Sequence, residues 1–356
     1  MTSTTLPPPV DHPLPIPSPE AGSRVESTLR RRLVFLAKLL ATGIACTWIV
    51  LYIDWSLFWN TVRAAQYWLL ALVVTMRFGG LVLSSYKWQQ LLGIHGVRYP
   101  LGNLVRWYLV ATFLNHFLPS SIGGDAFRIY RTLDNTRARS CAVMAVFMER
   151  VTGLVALMVL GLGAAIWAYQ RVDEPAAAGI AILCGGGILA ALGGALLGPK
   201  IVSVRRLAAR YGWARRLAIV PELFDDFRRR PRQALLVGVV SFLFHVNKIA
   251  AAWLTLYALG ITLNPLMLTV VFVGVEVVGL LPITLGGLGV VEGSFVYLIG
   301  RFGVPAEPAL ATVLLLRVLN LPLSAGGALL YALGDRVSTV PEGQPSTRDN
   351  FRQSDF

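Results

Sequence analysis

Long apolar runs separated by short polar stretches dominate the chain. They predict eight membrane spans, at about 33–53, 67–86, 102–117, 140–169, 177–199, 233–260, 265–282 and 308–333. A helix needs roughly 20 apolar residues to cross the hydrocarbon core of a bilayer, and several of these runs reach that length. The pattern therefore predicts an all-α polytopic membrane protein.

Two stretches rich in proline and glycine, 118–131 and 282–300, interrupt the series of spans. Each carries one copy of the pattern Leu-Pro-x-Ser/Thr-Ile/Leu-Gly-Gly, at 118–124 and 281–287, and the copies lie 163 residues apart. Proline and glycine break long helices, so we predict two re-entrant hairpins that stay at membrane depth. The same offset carries spans 2, 3 and 4 onto spans 6, 7 and 8. We therefore predict a repeat of two four-helix halves, about 33–169 and 177–333.

The basic residues indicate how the halves are oriented. The chain has a net charge of +13, and only 14% of its residues are charged, which excludes an ordinary water-soluble enzyme. If the first hairpin enters from the cytoplasm, 23 of the 32 Lys and Arg residues lie on the cytoplasmic side, in 1–32, 87–101, 128–139, 200–232 and 334–356. Positive charge favours the cytoplasmic side, so we predict inverted halves with both termini in the cytoplasm.

The segments outside the spans have their own predictions. The Pro-rich residues of the tail 1–32 are typical of disorder, and 334–356 is a polar tail. The basic segment 200–232 fits either an amphipathic helix pair on an anionic membrane surface or a solvated loop that sets orientation. Because the positive charge accompanies membrane spans, we expect lipid partners and no nucleic acid.

Polar residues within the apolar runs are the candidate functional residues. A charged group at membrane depth is costly and should face a partner or a water-filled cavity, and both interpretations stay open for each deep cation. Since basic residues exceed acidic ones, a shared cavity would suit an anionic headgroup, above all a phosphate. The candidate headgroup-binding residues are Arg77, Asn115, Gly123, Gly124, Asp125, Arg128, Arg131, Glu149, Arg150, His245, Lys248, Glu276, Gly286, Gly287, Glu292 and Arg317.

The two hairpins provide the most specific candidate residues. We place Asp125, Arg128 and Arg131 at the inner mouth of the cavity, with the other charged candidates along the path. Glycines beside a helix start leave backbone N–H groups that can bind an anion. The three cysteines have no metal-ligand spacing, and nucleotide-binding and hydrolase motifs are missing from the sequence, so we expect no metal, cofactor or ATP-driven step.

At the first hairpin the sequence resembles a known family. Residues 113–128, FLNHFLPSSIGGDAFR, are similar to the FxNxFLPxxxGGDxxR signature of the lysylphosphatidylglycerol synthase transmembrane (flippase-like) family. Lys87-Trp88, the run MERVTG at 148–153 and the second glycine-rich stretch at 282–292 also match. The resemblance covers about 33–333.

The resemblance implies a bacterial inner-membrane protein related to the part of aminoacyl-phosphatidylglycerol synthases that moves the modified lipid to the outer leaflet. Those synthases continue into a soluble transferase domain, whereas about 22 polar residues follow the last span here. We therefore expect a flippase-like protein rather than a lysyl transferase. Stand-alone relatives in hopanoid or glycolipid pathways leave the lipid open.

The leading hypothesis is a translocase for an anionic, aminoacylated or otherwise polar lipid. A membrane-embedded aminoacyl- or glycosyltransferase, or an accessory subunit of one, is the alternative, with Asp125 and Glu292 as acid/base candidates. A hopanoid or glycolipid transporter and a non-catalytic assembly protein are also open. The partners expected are membrane lipids, and a separate synthetase or glycosyltransferase and self-association are left undecided.

Overall fold

The computed structural model describes residues 36–37, 39–44, 47–51, 53–94, 96–117, 122–132, 136–172, 175–197, 229–281 and 283–333. The predictions for the two tails, for most of the basic segment 200–232, for Cys46 and for the turn at 118–121 lie outside these residues. Within the described ranges, every regular element is a helix.

The helices in chain order are α1 Trp55–Arg63, α2 Tyr67–Ile94, α3 Leu101–Phe117, α4 Ile122–Arg131, α5 Thr136–Val172, α6 Pro175–Leu197, α7 Pro231–Ala258, α8 Pro265–Gly279, α9 Val290–Gly300, α10 Ala306–Val318 and α11 Leu321–Ala332. A short 3₁₀ turn at Leu285–Gly287 lies between α8 and α9.

Local sequence signals explain several of these boundaries. The Asp54 carboxylate accepts a hydrogen bond from the Ser56 N–H at 2.9 Å and begins α1. Asn264 caps α8 in the same way, and Pro265 follows at the first helical position, where its missing N–H costs nothing. After α7 the chain turns at Gly260, whose φ of 77° favours glycine.

Among the described residues, four helical stretches are long and apolar enough to cross a membrane. They are Tyr67–Ile94, Cys141–Arg171, Pro231–Ala258 and Ala306–Ala332, with a fifth if the bent pair Leu39–Leu51 and Trp55–Arg63 counts as one span. Helix α3 has 17 residues and α8 has 15, which gives lengths of about 26 and 23 Å at 1.5 Å per residue. The all-helical, multi-pass membrane architecture predicted from the sequence is confirmed.

Three element boundaries differ from the sequence predictions. Helix α2 continues to Ile94, so Lys87 lies inside a helix and not in a cytoplasmic loop. The predicted span 308–333 is still one stretch able to cross a membrane, but a two-residue turn at 319–320 divides it into α10 and α11 just before Pro322, whose ring nitrogen cannot donate the helical hydrogen bond. Helix α4 runs to Arg131, and Arg128 within it is 3% exposed instead of lying in a solvated segment.

Helices α2 and α7 pack against each other in antiparallel directions. Three hydrogen bonds follow their contact from end to end: the Gln66 N–H to the Ala258 carbonyl, the Asn247 side-chain amide to the Met76 carbonyl, and the Arg230 guanidinium to the Gly93 carbonyl. As the residue number rises along α2, the number of its partner on α7 falls. The two helices begin 164 residues apart in sequence, as α3 and α8 do.

The short helices α3 and α8 each also pack against a helix that lies far away in sequence. Helix α3 contacts α11, where the backbone carbonyl of Leu109 touches Gly327, and the rings of Phe113 and Tyr331 lie 6.2 Å apart. Helix α8 contacts α5, where Val273 packs against Gly161. Helices α2 and α7 both contact α5 as well, and polar residues of six helices line a common cavity.

Candidate intramembrane headgroup site

Helices α3 and α4 form a tight antiparallel hairpin that positions the first group of site residues. The Gly124 N–H donates to the Asn115 side-chain oxygen at 2.8 Å. A Cβ at Gly124 would collide with the Ala111 carbonyl and with the Asn115 amide, so only glycine allows this approach. Further along α4, the Arg128 guanidinium lies 4.5 Å from the Tyr108 ring centre on α3. The hairpin therefore directs Asp125 and Arg128 towards α5.

Arg128 lies at the centre of a buried polar network. Its guanidinium donates to Asp125 at 2.6 Å and to Glu149 on α5 at 2.8 Å. The Tyr108 hydroxyl donates to the other Glu149 oxygen at 2.9 Å, and the Trp88 ring lies 5.1 Å from the guanidinium. Removing a charge from water is costly, and here two carboxylates and two rings compensate the arginine.

The second oxygen of Asp125 extends this network towards the opening of the cavity. It accepts from Arg150 at 2.6 Å, and 52% of the Arg150 side chain is exposed. The groups therefore alternate in charge from Arg150 through Asp125 and Arg128 to Glu149. Because Arg150 is held at one end only, it can exchange Asp125 for another anion at a small cost.

Lys87 is a site residue that the sequence prediction missed. Its ammonium donates to the Glu149 backbone carbonyl at 3.2 Å and lies 5.8 Å from the Phe244 ring centre, and the residue is 3% exposed. The sequence offered one signal, since Lys87-Trp88 was among the pieces that resemble the known family. Its hydrophilic character nevertheless placed it beyond the end of a span.

Helices α7 and α8 supply the opposite wall of the site. Lys248 donates to Glu276 at 2.7 Å and lies near the rings of Phe244 and Phe272. His245 is buried against the edge of Phe244, and its Nδ1 is buried without a hydrogen-bond partner. A buried polar nitrogen without a partner is unusual in a folded protein and is suited to a polar ligand.

These groups surround one polar cavity of about 270 Å³. Its polar lining comes from α2, α3, α4, α5, α7 and α8, and consists of Ser84, Lys87, Tyr108, Asn115, Asp125, Arg128, Glu149, Arg150, His245, Lys248 and Glu276. The lining includes four lysine or arginine side chains and three carboxylates, so basic groups exceed acidic ones. Such a surface can hold an anionic or mixed-charge group in a low-dielectric setting.

Several predicted site residues lie elsewhere. Glu292 caps α9 by accepting the Gly289 N–H at 2.7 Å, and it forms an ion pair with Arg317 on α10. Gly286 and Gly287 form the turn before α9, with φ values of 61° and 74° that favour glycine.

Three further candidates also stand apart from the cavity lining. Arg131 lies 5.4 Å from the Phe127 ring and Gly123 belongs to the first turn of α4, and neither lines the cavity. Arg77 lines a smaller chamber next to it.

The carboxylates of the site are arranged for binding. Asp125, Glu149 and Glu276 each accept a hydrogen bond from an arginine or lysine side chain. Outside the cavity, Glu292 forms an ion pair with Arg317. Within the described ranges, His, Cys, Asp and Glu residues do not form a group of three that could hold a metal ion. The arrangement supports non-covalent recognition of a charged group.

Residues 35–327 match the sequence model of the family described as the lysylphosphatidylglycerol synthase TM region. The match covers the whole described helical assembly from α1 to α10 and most of α11. No curated protein and no solved structure matches the chain significantly.

Proposed function

The chain belongs to the lysylphosphatidylglycerol synthase TM region family, and from this premise we propose that it moves a lipid with an anionic or aminoacylated headgroup between membrane leaflets. The family assignment supports a multi-pass membrane protein of lipid synthesis or translocation. The observation that carries the more specific proposal is the polar cavity, in which seven charged side chains converge between apolar helices. Because each charge is costly at membrane depth, a set of this size indicates a polar cargo.

We propose eight spans and two re-entrant hairpins arranged as an inverted repeat. The equal sequence offsets of α2 with α7 and of α3 with α8 support a duplication. The antiparallel contact of α2 with α7 supports inversion, since equivalent helices in inverted halves run in opposite directions. The short lengths of α3 and α8 are consistent with hairpin arms that turn back inside the bilayer.

We further propose that both termini face the cytoplasm of a bacterium and that the protein lies in its inner membrane. The basic segments 1–32, 200–232 and 334–356 support this orientation through their excess of Lys and Arg. In this arrangement, the headgroup enters the cavity while the hydrocarbon chains stay in the lipid. One half then rocks against the other to change the side to which the cavity opens.

A transferase has less support from the geometry. Asp125 and Glu292 were its acid/base candidates, and each is paired with arginine. Each carboxylate is already occupied by a cation of the protein, so neither is directed at a reacting group. Translocation needs no such group and uses the same charges for binding.

The proposal is tested with the full chain in proteoliposomes that contain fluorescent phosphatidylglycerol. Dithionite bleaches the outer leaflet, and the later loss of fluorescence measures exchange between leaflets. We expect the wild-type protein to accelerate exchange and Arg150→Gln to slow it about tenfold, because one charge-assisted hydrogen bond contributes about 1.5 kcal/mol or more. Arg150 is suitable because its side chain is half exposed and its loss leaves no buried group unpaired.

Arg63→Gln is the matched control. Arg63 ends α1, is exposed, and lies outside the cavity lining, so exchange should equal that of the wild type. Exchange in wild-type vesicles no faster than in protein-free vesicles, for every anionic lipid tried, would overturn the proposal. Equal exchange rates for Arg150→Gln and the wild type would contradict the assignment of the cavity as the site of lipid movement.

A further inference from the structure

A second, smaller chamber adjoins the cavity and has a different chemical character. Its volume is about 160 Å³, and its polar lining comprises Arg77, Ser84, Tyr108, Thr112, Asn247, Lys248 and Asn320. Ser84, Tyr108, Phe244 and Lys248 line both spaces. None of the described residues that line this chamber carries a carboxylate, whereas three carboxylates line the larger cavity.

Arg77 has the greatest unused hydrogen-bonding capacity in the chamber. It forms no ion pair with any described residue. One of its terminal nitrogens donates to the Leu316 carbonyl at 3.4 Å, and its Nε is buried without a hydrogen-bond partner. An arginine fork left in this state matches the two oxygens of a phosphate, which accept parallel N–H bonds.

The neighbours of Arg77 add donors and few competing acceptors. Lys248 uses one N–H for Glu276, and the Asn247 amide uses one for the Met76 carbonyl, so each keeps further N–H groups. The Asn320 side chain makes no capping bond to α11. The Tyr108 and Thr112 hydroxyls already donate to Glu149 and to a backbone carbonyl. Apart from the Ser84 hydroxyl, the donors that remain in the lining are therefore nitrogen groups.

The charge balance around the chamber calls for one additional negative charge. Arg77 and Lys248 contribute two positive charges, and Glu276, which pairs with Lys248 and acts electrostatically on Arg77, contributes one negative charge. A buried site of this kind is most favourable when its net charge is neutralised. A phosphodiester supplies a single negative charge together with oxygen acceptors.

We propose that this chamber is a phosphate subsite, in which Arg77 binds the phosphate group and Lys248, Asn247 and Asn320 complete its coordination. The inference rests on the proposed lipid translocation and specifies how the lipid is recognised. The phosphate lies in the small chamber, and the rest of the headgroup extends past Phe244 into the larger cavity. The two spaces thereby separate recognition of the phosphate from recognition of the variable headgroup.

The test is the binding of dihexanoyl phosphatidylglycerol to the detergent-solubilised full chain, measured by titration calorimetry. We expect Arg77→Gln to raise the Kd about tenfold or more, because charge-assisted hydrogen bonds to the phosphate are lost. Arg77→Lys should lose less affinity than Arg77→Gln, since lysine keeps the positive charge but lacks the planar guanidinium. Arg63→Gln should bind as the wild type does.

A ligand without phosphate distinguishes loss of phosphate binding from a structural effect of the Arg77 substitution. Dihexanoylglycerol should bind wild type and Arg77→Gln with Kd values within about twofold, as expected for a contact that needs the phosphate. A tenfold loss for both ligands would assign Arg77 a structural role and overturn the subsite. A third titration uses inorganic phosphate: Arg77-dependent binding of phosphate without Arg77-dependent binding of the lipid would assign the subsite to the free anion and overturn the lipid assignment.

Leaflet exchange distinguishes failure of this inference from failure of the proposed function. If the wild type accelerates leaflet exchange and Arg77→Gln does so at the same rate, the subsite is contradicted and the proposed translocation is supported. Arg77-dependent lipid binding in a protein that accelerates no exchange supports the subsite and contradicts translocation.

Discussion

Arg128 is the most constrained charge in the cavity. It is almost fully buried, and it is held by Asp125 and Glu149 and flanked by the rings of Trp88 and Tyr108. Arg150 shares Asp125 with it but keeps half of its side chain exposed. The two arginines of one network should therefore have different roles, Arg128 in holding the hairpin in place and Arg150 in contacting the cargo.

The stability of the protein should distinguish these roles. Arg128→Gln is expected to lower the free energy of unfolding by about 3 kcal/mol, because it leaves buried carboxylates without their cation. Arg150→Gln should lower it by less than about 1 kcal/mol, as is usual for an exposed pair. Unfolding of both variants in the same detergent micelles measures the difference, and equal losses would contradict the assignment.

The sequence predicted most of the charged cavity residues because charges inside apolar runs are conspicuous. Lys87 was missed since its burial depends on Glu149 and Phe244, which lie 62 and 157 residues away and which no local pattern connects to it. Glu292 and Arg317 were predicted as cavity residues because a spacing pattern cannot show that two deep charges neutralise each other and cap a helix.

At the level of elements, a glycine allows α3 and α11 to approach closely. Gly327 on α11 touches the Leu109 carbonyl of α3. A methyl group at the neighbouring Gly326 would have open space around it within the described part of the chain. The helical character and the approximate positions of the spans could be predicted from the apolar runs. The break between α10 and α11 and these points of contact could not, because they depend on which helix lies opposite.

This pair of glycines provides a matched test of the packing. Gly327→Ala is expected to lower the thermal unfolding temperature, because its Cβ would collide with backbone that cannot rotate away. Gly326→Ala should leave the temperature unchanged or raise it slightly, since alanine favours the helix. The two variants differ by one position, and a lower unfolding temperature for Gly326→Ala than for Gly327→Ala would contradict the α3–α11 contact.

At the scale of the whole molecule, the proposed translocation requires two halves with opposite orientation and a charged cavity between them. The loop between α2 and α3 and the loop between α7 and α8 occupy equivalent places in the proposed repeat. In the structure, Gln66 lies against Ala258 at one end of the α2–α7 pair, and Gly93 lies against Arg230 at the other. These two loops must therefore reach opposite surfaces of the membrane.

Labelling of single cysteines shows whether these two loops lie on opposite sides of the membrane. In a chain with Cys46, Cys141 and Cys184 replaced by alanine, Arg98→Cys and Thr262→Cys place one exposed thiol in each loop. A membrane-impermeant maleimide is applied to spheroplasts and to inverted vesicles. We predict that Thr262→Cys reacts only in spheroplasts and Arg98→Cys only in inverted vesicles, and reaction of both from the same side would contradict the inverted arrangement.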